Sequence, residues 1–362
     1  MKQIICLSNE PWSKLPCRTQ QLMSRMRDVQ ILYFFRSQRQ IWPLVQKSGT
    51  KVRPNLTVYA LPHLPPPWTG PHGILFGHQQ RHTAAWIASR VARHRFKDPL
   101  LWTTSPEQLH LLDRLNYDGL VYDCDREWNQ FPPQWEGQLA HTADVVFAAS
   151  PVLADRLSPC SSNIVLSPNG VNFSLFAQEF ERPDPLPHVQ GPLIGWAGTI
   201  WSDLDLSPIL YAAQVRPDWN FLLLGRRERE NPFLSQLCRL PNVMIPGSCP
   251  IHEVPNWLYR CDVLVDLFRA DDPYSDIISP RLYEYLATGK PIVSMLWPDQ
   301  VEQFPDVVYA ACHPDEFVTL CSHAMEESPK FVSRRRRSHA ANASWSLRTK
   351  NMVQILTTAG LL

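Results

Sequence analysis

Apolar residues along this chain gather into short runs, and between the runs they recur at helical spacing. Ile4–Leu7, Val29–Phe35, the stretch around Tyr59, Pro99–Thr103, Gly119–Tyr122, Ala143–Ala148 and Ile164–Leu166 read as buried strands. Arg18–Met26, Ala84–Arg95, Glu107–Leu115 and Pro151–Leu157 read as the helices between them, with Thr104 or Ser105 capping the third. The segment Phe176–Pro192 breaks the rhythm and has the composition of a linker. The alternation then restarts. Strands are predicted at Leu193–Trp196, Phe221–Leu224, Val243–Ile245, Val263–Leu267 and Ile292–Met295. Helices are predicted at Leu206–Val215, Val254–Arg260, Pro280–Thr288, Glu316–Glu327, Ser333–Ala343 and Ser346–Thr357.

Apolar strands alternating with helices mean parallel sheets covered on both faces. The fold class is therefore α/β, with two doubly wound domains of similar size and a cleft between them. The first covers residues 1–175, the linker 176–192 and the second domain 193–345. In such sheets ligands bind outside the carboxyl ends of the strands.

One stretch, Ser275–Met295, carries a start, a stop and a chemical face. Ser279 is the expected N-cap, and Pro280 suits the first helical position, where its missing N–H costs nothing. Leu282, Tyr285 and Leu286 make the buried stripe; Gly289 suits a left-handed residue after the helix, and Pro291 prevents continuation. On the other face Arg281 and Glu284 are surface neighbours. A capped helix start with free N–H groups and a guanidinium can hold a phosphate. A carboxylate one turn deeper can accept bonds from two vicinal hydroxyls, and Asp276 adds a second carboxylate in the feeding loop. The competing reading is an exposed Arg281–Glu284 ion pair.

Composition narrows the classes. A formal net charge of +1 argues against a bulk electrostatic nucleic-acid binder. The basic run Arg334–Arg337 is either a solvated helix face or a contact for an anionic membrane surface. The nine scattered cysteines are odd in number and lack zinc spacing, which fits reduced thiols in a cytosol. The apolar run at the N-terminus is short for a signal peptide, and no run is long enough for a membrane span. His78 and His82 have the spacing of a helical zinc pair without a third ligand, and an exposed helix start is the simpler reading. A Walker loop, a G-x-S-x-G elbow and a G-x-G-x-x-G fingerprint are all missing.

Several segments together resemble the GT-B-type, nucleotide-sugar-dependent retaining glycosyltransferases that build polysaccharides and glycolipids. Ser167-Pro-Asn-Gly-Val-Asn-Phe173 resembles the segment ending the family's first domain, and Ile194-Gly-Trp-Ala-Gly198 the glycine loop opening its second. Phe221–Gly225 and Cys261–Phe268 resemble later strands, and Ser279–Pro291 is nearly the family's wording. Asp276 and Glu284 stand at the two positions of its paired-Glu motif, the first shortened to Asp. Ser344-Trp345 resembles the point before the closing helix, which in that fold returns to the first domain.

The resemblance implies two Rossmann-like domains facing across a cleft, and roles for particular residues. Glu284 would hold the donor's ribose hydroxyls. Arg281, with N–H groups near Ser279 and Pro280, would face the diphosphate. Asp276 would touch or position the transferred sugar. Gly198 and Thr199 would let backbone approach the diphosphate, and Arg226 is a second source of positive charge for it. Neither a metal nor a further cofactor is implied. The implied partners are a nucleotide-sugar donor and a glycan or lipid-linked acceptor, at the cytoplasmic side of a membrane. The sequence departs from the pattern in two places: Ile200–Asp205 offers carboxylates where a lysine is usual, and the loop after the first strand lacks glycine. No histidine follows the strand ending at Thr103; Asp123 and Asp125 are the nearest substitutes, with Asp125 a candidate near the acceptor or a loop cap. A non-catalytic donor-binding homologue and a nucleotide-sugar epimerase are the alternatives.

Overall fold

The computed structural model describes residues 2–36, 49–62, 75–178, 184–202, 204–227, 231–267, 276–295, 303–327 and 329–362. The proline-rich turn expected after Leu61, part of the expected linker, and Ser275 fall largely or wholly outside them. Contacts divide the chain into two compact units, Met1–Pro168 with Ser346–Leu362, and Asn169–Trp345.

The first unit is built on an eight-stranded sheet. Its strands are β1 (Lys2–Ser8), β2 (Val29–Arg36), β3 (Thr50–Arg53), β4 (Leu56–Leu61), β5 (Leu100–Thr103), β6 (Gly119–Cys124), β7 (Val145–Ala148) and β8 (Ile164–Leu166). Their spatial order is β3-β4-β2-β1-β5-β6-β7-β8, parallel except for the exposed edge strand β3. The helices are α1 (Arg18–Met23), α2 (Phe76–Arg93), α3 (Leu109–Leu112), α4 (Pro133–Thr142) and α5 (Pro151–Leu157). Helix α2 begins eight residues before the expected Ala84, because its first turns are polar and show no apolar period. The helix expected at Glu107–Leu115 is shorter and starts with a 3-10 turn, Pro106–Gln108, where Gln108 Oε1 accepts from the Thr104 and Ser105 N–H groups at 2.8 and 3.2 Å.

The second unit opens with the short helix α6 (Phe173–Phe176) and contains a six-stranded parallel sheet. In chain order it has β9 (Leu193–Ala197), α7 (Ser207–Val215), β10 (Asn220–Leu224), α8 (Leu234–Leu237), β11 (Val243–Gly247), α9 (Val254–Arg260) and β12 (Val263–Asp266). Then come α10 (Pro280–Thr288), β13 (Ile292–Ser294), β14 (Tyr309–Ala310), α11 (Pro314–Met325) and α12 (Pro329–Asn342); the last helix, α13 (Trp345–Thr358), belongs from Ser346 onward to the first unit. The strands run in the order β11-β10-β9-β12-β13-β14. Alternate residues feed two cores. Leu222, Leu224, Leu264 and Ile292 pack against α10. Ile194, Trp196, Phe221 and Val265 pack with Ile209 of α7 and Phe317 of α11. This is the doubly wound arrangement that continuous apolar strands demand.

The unit boundary falls earlier than residue 175, for a physical reason. Val171 forms a parallel bridge to Ser344, and Phe176 is buried in the core under α10. The segment before the linker thus belongs with the second sheet.

The basic run lies on α12, and most of its charge is committed inside this unit. Arg336 is wholly buried; its guanidinium forms a bidentate pair with Glu327 at 2.7 Å, and its Nε donates to the Val307 carbonyl at 2.6 Å. Arg337 donates to the Thr288 carbonyl at 3.1 Å, and Arg335 reaches Asp306 at 3.5 Å. Arg334 alone of the run is exposed. Removing one partner of a buried pair strands the other charge, at about 3–5 kcal/mol. Arg336→Met should therefore lower the unfolding free energy in urea by that order, seen as a lower midpoint with little change in slope, and adding Glu327→Leu should recover much of it. Equal midpoints for wild type and Arg336→Met would show that the pair contributes nothing.

Candidate functional site

In the second sheet, β9 is flanked by β10 on one side and β12 on the other, so the winding direction reverses between β9 and β12. Open α/β sheets bind ligands at such a reversal, beyond the carboxyl ends of the strands. The turn after Ala197 and the end of β12 at Asp266 both lie there, and α10 is placed against them.

Helix α10 is fixed by four contacts. Ser279 Oγ accepts from the Leu282 N–H at 3.3 Å, which makes it the N-cap, and Pro280 occupies the first turn. Gly289 ends the helix in the left-handed region, at φ 76°. Before the cap, the Ile278 carbonyl accepts from Asn169 Nδ2 at 3.1 Å, so the Pro-Asn-Gly segment anchors the entry to the helix. In the middle, the buried Tyr285 hydroxyl accepts from the Ala197 N–H at 2.8 Å. A residue the apolar stripe assigns to packing thus also ties α10 to the last residue of β9. Burial drives the Tyr285 phenol far above its ordinary pKa, so it stays a neutral hydroxyl.

Arg281 turns to Asp266, with Nε at 2.6 Å from Oδ1, and not to Glu284. The surface ion pair weighed for Arg281 and Glu284 does not form. Asp266 is fully buried, and its Oδ2 has no hydrogen-bond partner among the described residues. Burial pushes the Asp266 carboxyl up and Arg281 opposes that push. Burial also works against the Arg281 charge, but Asp266, Tyr285 and Glu284 outweigh it and hold the guanidinium above its ordinary value. The guanidinium lies 5.1 Å from the Trp196 ring centroid and under the turn at Gly198, where a Cβ would come within 3.0 Å of Nη1. The cation is thereby held beside the Gly198–Thr199 turn, with its edge partly open to solvent.

That turn is tightly packed. Gly198 N–H donates to Leu224 O and Ile200 N–H to Arg226 O, both at 2.9 Å. The Gly198 N–H is thus spent on the sheet, while the Thr199 N–H has no hydrogen-bond partner among the described residues. Gly225 sits at φ 149°, and a Cβ on it would fall 1.6 Å from the Gly198 carbonyl oxygen. Only glycine fits there. Arg226 follows, exposed and with no side-chain partner among the described residues. Its free charge stands next to the Thr199 turn through the Ile200–Arg226 bond.

Glu284 is half-buried one turn into α10 and makes no hydrogen bond among the described residues. Burial raises its carboxyl to about 8, against an opposing pull from Arg281. An unpartnered carboxylate held partly out of water is costly, which makes Glu284 a candidate for binding a ligand. Asp276 is half-buried in the turn before Ser279. The second unit therefore brings together Gly198, Thr199, Arg226, Ser279, Pro280, Arg281 and Glu284, with Asp276 at the entry to the helix. Asp266 was missed by the sequence reading. Its signal was there: one carboxylate at the end of the otherwise apolar run Val263–Leu267 needs a buried cation.

In the first unit, Asp125 follows β6 and is paired with Arg126 at 2.9 Å, which also reaches Glu10 at 3.1 Å. Asp123 is buried and takes three bonds from Arg18, the shortest at 2.9 Å. Burial raises the Asp123 carboxyl while Arg18 pulls it down. This pair pins the start of α1 to the carboxyl end of β6. Asp125 is thus a member of a charge cluster at the carboxyl edge of its own sheet.

No family model matches the chain. A Bacillus subtilis protein named for teichuronic acid biosynthesis, the glycosyltransferase TuaH, is 26% identical over 68% of this chain and 68% of its own length. Among solved structures, sucrose-phosphate synthase from Thermosynechococcus elongatus superimposes with a TM-score of 0.76 at 15% identity, covering 99% of both chains. Anabaena HepE in complex with UDP and glucose gives 0.72 at 15% identity, covering 99% of this chain and 100% of that one. A structure described as trehalose-6-phosphate from E. coli bound with UDP-2-fluoro glucose gives 0.77 at 10% identity, covering 98% and 99%. The likeness to these structures spans both units and establishes the architecture, two parallel-sheet domains of GT-B type. The motif residues that carried the resemblance sit at the reversal point of the second sheet, and the chain is similar in sequence to a protein named as a glycosyltransferase and in fold to structures of GT-B type.

Proposed function

We propose that the protein transfers a sugar from a nucleotide diphosphate sugar, with retention of configuration, to a glycan or lipid-linked acceptor on the cytoplasmic side of a membrane. The observation that carries this reading is Glu284: a half-buried carboxylate without a protein partner, one turn into a capped helix beside a held guanidinium. Two vicinal ribose hydroxyls would satisfy both of its oxygens. Arg281, Arg226 and the Thr199 N–H would meet the diphosphate, and Asp276 the transferred sugar.

Chemistry at such a site is mostly positioning and charge stabilisation. The bond between the anomeric carbon and the diphosphate oxygen breaks, and the leaving diphosphate takes the electron pair. Arg281 gains little reorganisation cost, because Asp266 already fixes it. Retention requires the acceptor hydroxyl to arrive on the face from which the diphosphate departs, and its proton then passes to the departing phosphate oxygen. No metal or further cofactor enters this scheme. The name of TuaH favours a cell-envelope polysaccharide as acceptor, and the UDP complexes among similar folds make a uridine donor the first to test. No helix among the described residues is long and apolar enough to cross a membrane.

A thermal-shift screen with nucleoside diphosphates tests the site directly. A ligand at about 100 times its Kd stabilises by about 2.7 kcal/mol, a shift of several degrees at this size. UDP should produce it and Glu284→Gln should abolish it. Equal shifts in both proteins would refute the assignment of Glu284. Binding without transfer across an acceptor panel would instead favour a non-catalytic homologue, and a new sugar formed from donor alone an epimerase.

Glu284 also fixes a pH signature. Its folded pKa of about 8 lies above the ordinary value of 4.5, so between those values the native state holds the extra proton. Glu284 therefore stabilises least at high pH: its contribution is lost as pH rises through about 8. Wild type should lose melting temperature across that window relative to Glu284→Gln, and equal slopes would exclude the shift. Because only the ionised carboxylate accepts two hydroxyl bonds, donor binding should release a proton below about pH 8 and tighten as pH rises through it. Calorimetry in two buffers of different ionisation enthalpy reads the proton; a buffer-independent heat would show that none is released.

A further inference from the structure

A second cavity lies in the same unit at the opposite edge of the sheet. It is bounded by Pro192, Asp262 and Pro291, the residues just before β9, β12 and β13, and so lies under the amino ends of those strands. Its volume is about 670 Å³, within the roughly 300–1,000 Å³ typical of small-molecule sites. None of the donor-site residues lines it.

Most of its charged groups are already engaged, and one is not. Glu327 is taken up by Arg336, at 2.7 Å on both oxygens, and Arg260 by Asp184 at 3.1 Å. Asp262 gives one oxygen to the Leu193 N–H at 2.8 Å. Two basic side chains, Lys290 and Arg337, line the cavity beside it. Arg337 rests on the Thr288 carbonyl at 3.1 Å. The Lys290 ammonium makes no hydrogen bond or ion pair among the described residues, although it is half-buried and burial lowers its pKa. A half-buried ammonium without a partner costs free energy that an anion would recover.

The wall between the two cations is shaped by Gly289. A Cβ there would lie 2.3 Å from Ser333 Oγ and 2.8 Å from Arg337 Nε, so the missing side chain lets α12 bring both groups against the end of α10. The resulting group of ammonium, guanidinium and hydroxyl suits the three oxygens of a phosphoryl group. The cavity is larger than that group alone requires.

We infer that this cavity binds a small phosphate monoester of sugar size, its phosphoryl group held by Lys290, Arg337 and Ser333. The site is separate from the donor site and independent of the reading of Glu284. The test is calorimetric titration of the full chain with ribose 5-phosphate, using ribose as control, with and without excess UDP. Saturable one-to-one binding is expected with the phosphate alone of the two sugars, unchanged by UDP. Lys290→Ala and Ser333→Asp should each weaken it about tenfold or more, the loss of one charge-assisted contact. Arg226→Ala should leave it intact. Lys290 makes no side-chain bond in the fold, so its variant should keep the wild-type circular dichroism and melting curve. Absence of saturable heat, unchanged affinity in Lys290→Ala, or displacement by UDP would each overturn the assignment. Failure of UDP to bind at all, with ribose 5-phosphate still held through Lys290, would count against the donor site alone.

Discussion

The seating of one nine-residue helix, α10, governs the rest of the second unit. Its buried stripe would allow small rotations and slides, since apolar contacts are not directional. Polar bonds remove that freedom. The Tyr285 hydroxyl fixes the helix axially against Ala197, and the Arg281 guanidinium fixes its rotation against Asp266. Both partners sit at carboxyl ends of adjacent strands, β9 and β12. One helix thus bridges the reversal of the sheet. The Gly198–Thr199 turn, the cation and Glu284 are set relative to one another by those two bonds.

Such bonds are chosen for position more than for stability. A buried ion pair roughly breaks even against an apolar replacement, because desolvation cancels most of the attraction. The protein nonetheless buries Arg18–Asp123, Arg281–Asp266 and Arg336–Glu327. Each joins elements distant in sequence at a place where hydrophobic packing leaves the angle open. Two of them lie at the carboxyl ends of strands, where side chains must be aimed and not merely covered.

Much of this was legible in the chain. Continuous apolar runs announced parallel sheets, and the cap, proline and glycine around residues 279–291 announced α10 to the residue. These signals are local: a cap or a left-handed glycine is required by its neighbours in sequence. What stayed hidden was long-range. The Arg281–Glu284 pairing looked natural from spacing, but spacing cannot register a carboxylate fifteen residues earlier on a neighbouring strand. The basic run misled in the same way. Arg335, Arg336 and Arg337 read as a charged surface, yet their partners Asp306, Glu327 and Thr288 come from other elements. Helix α2 was cut short because its first turns bury little and so show no period.

The departures from the family pattern acquire a physical meaning in this light. The usual lysine is missing after the glycine turn, and the cation nearest that turn is Arg281, carried by the helix and clamped by Asp266. A lysine on a loop is a mobile point charge that must be ordered when the diphosphate arrives. A guanidinium already bonded along its Nε edge has lost that freedom beforehand, and its remaining donors keep a fixed fork. The cost is partial neutralisation by Asp266. Arg226, exposed and unpartnered among the described residues, can restore the missing charge from the other side of the turn. Divided this way, one arginine would supply geometry and the other net charge, which is how the proposed donor site would hold a leaving diphosphate without the loop lysine.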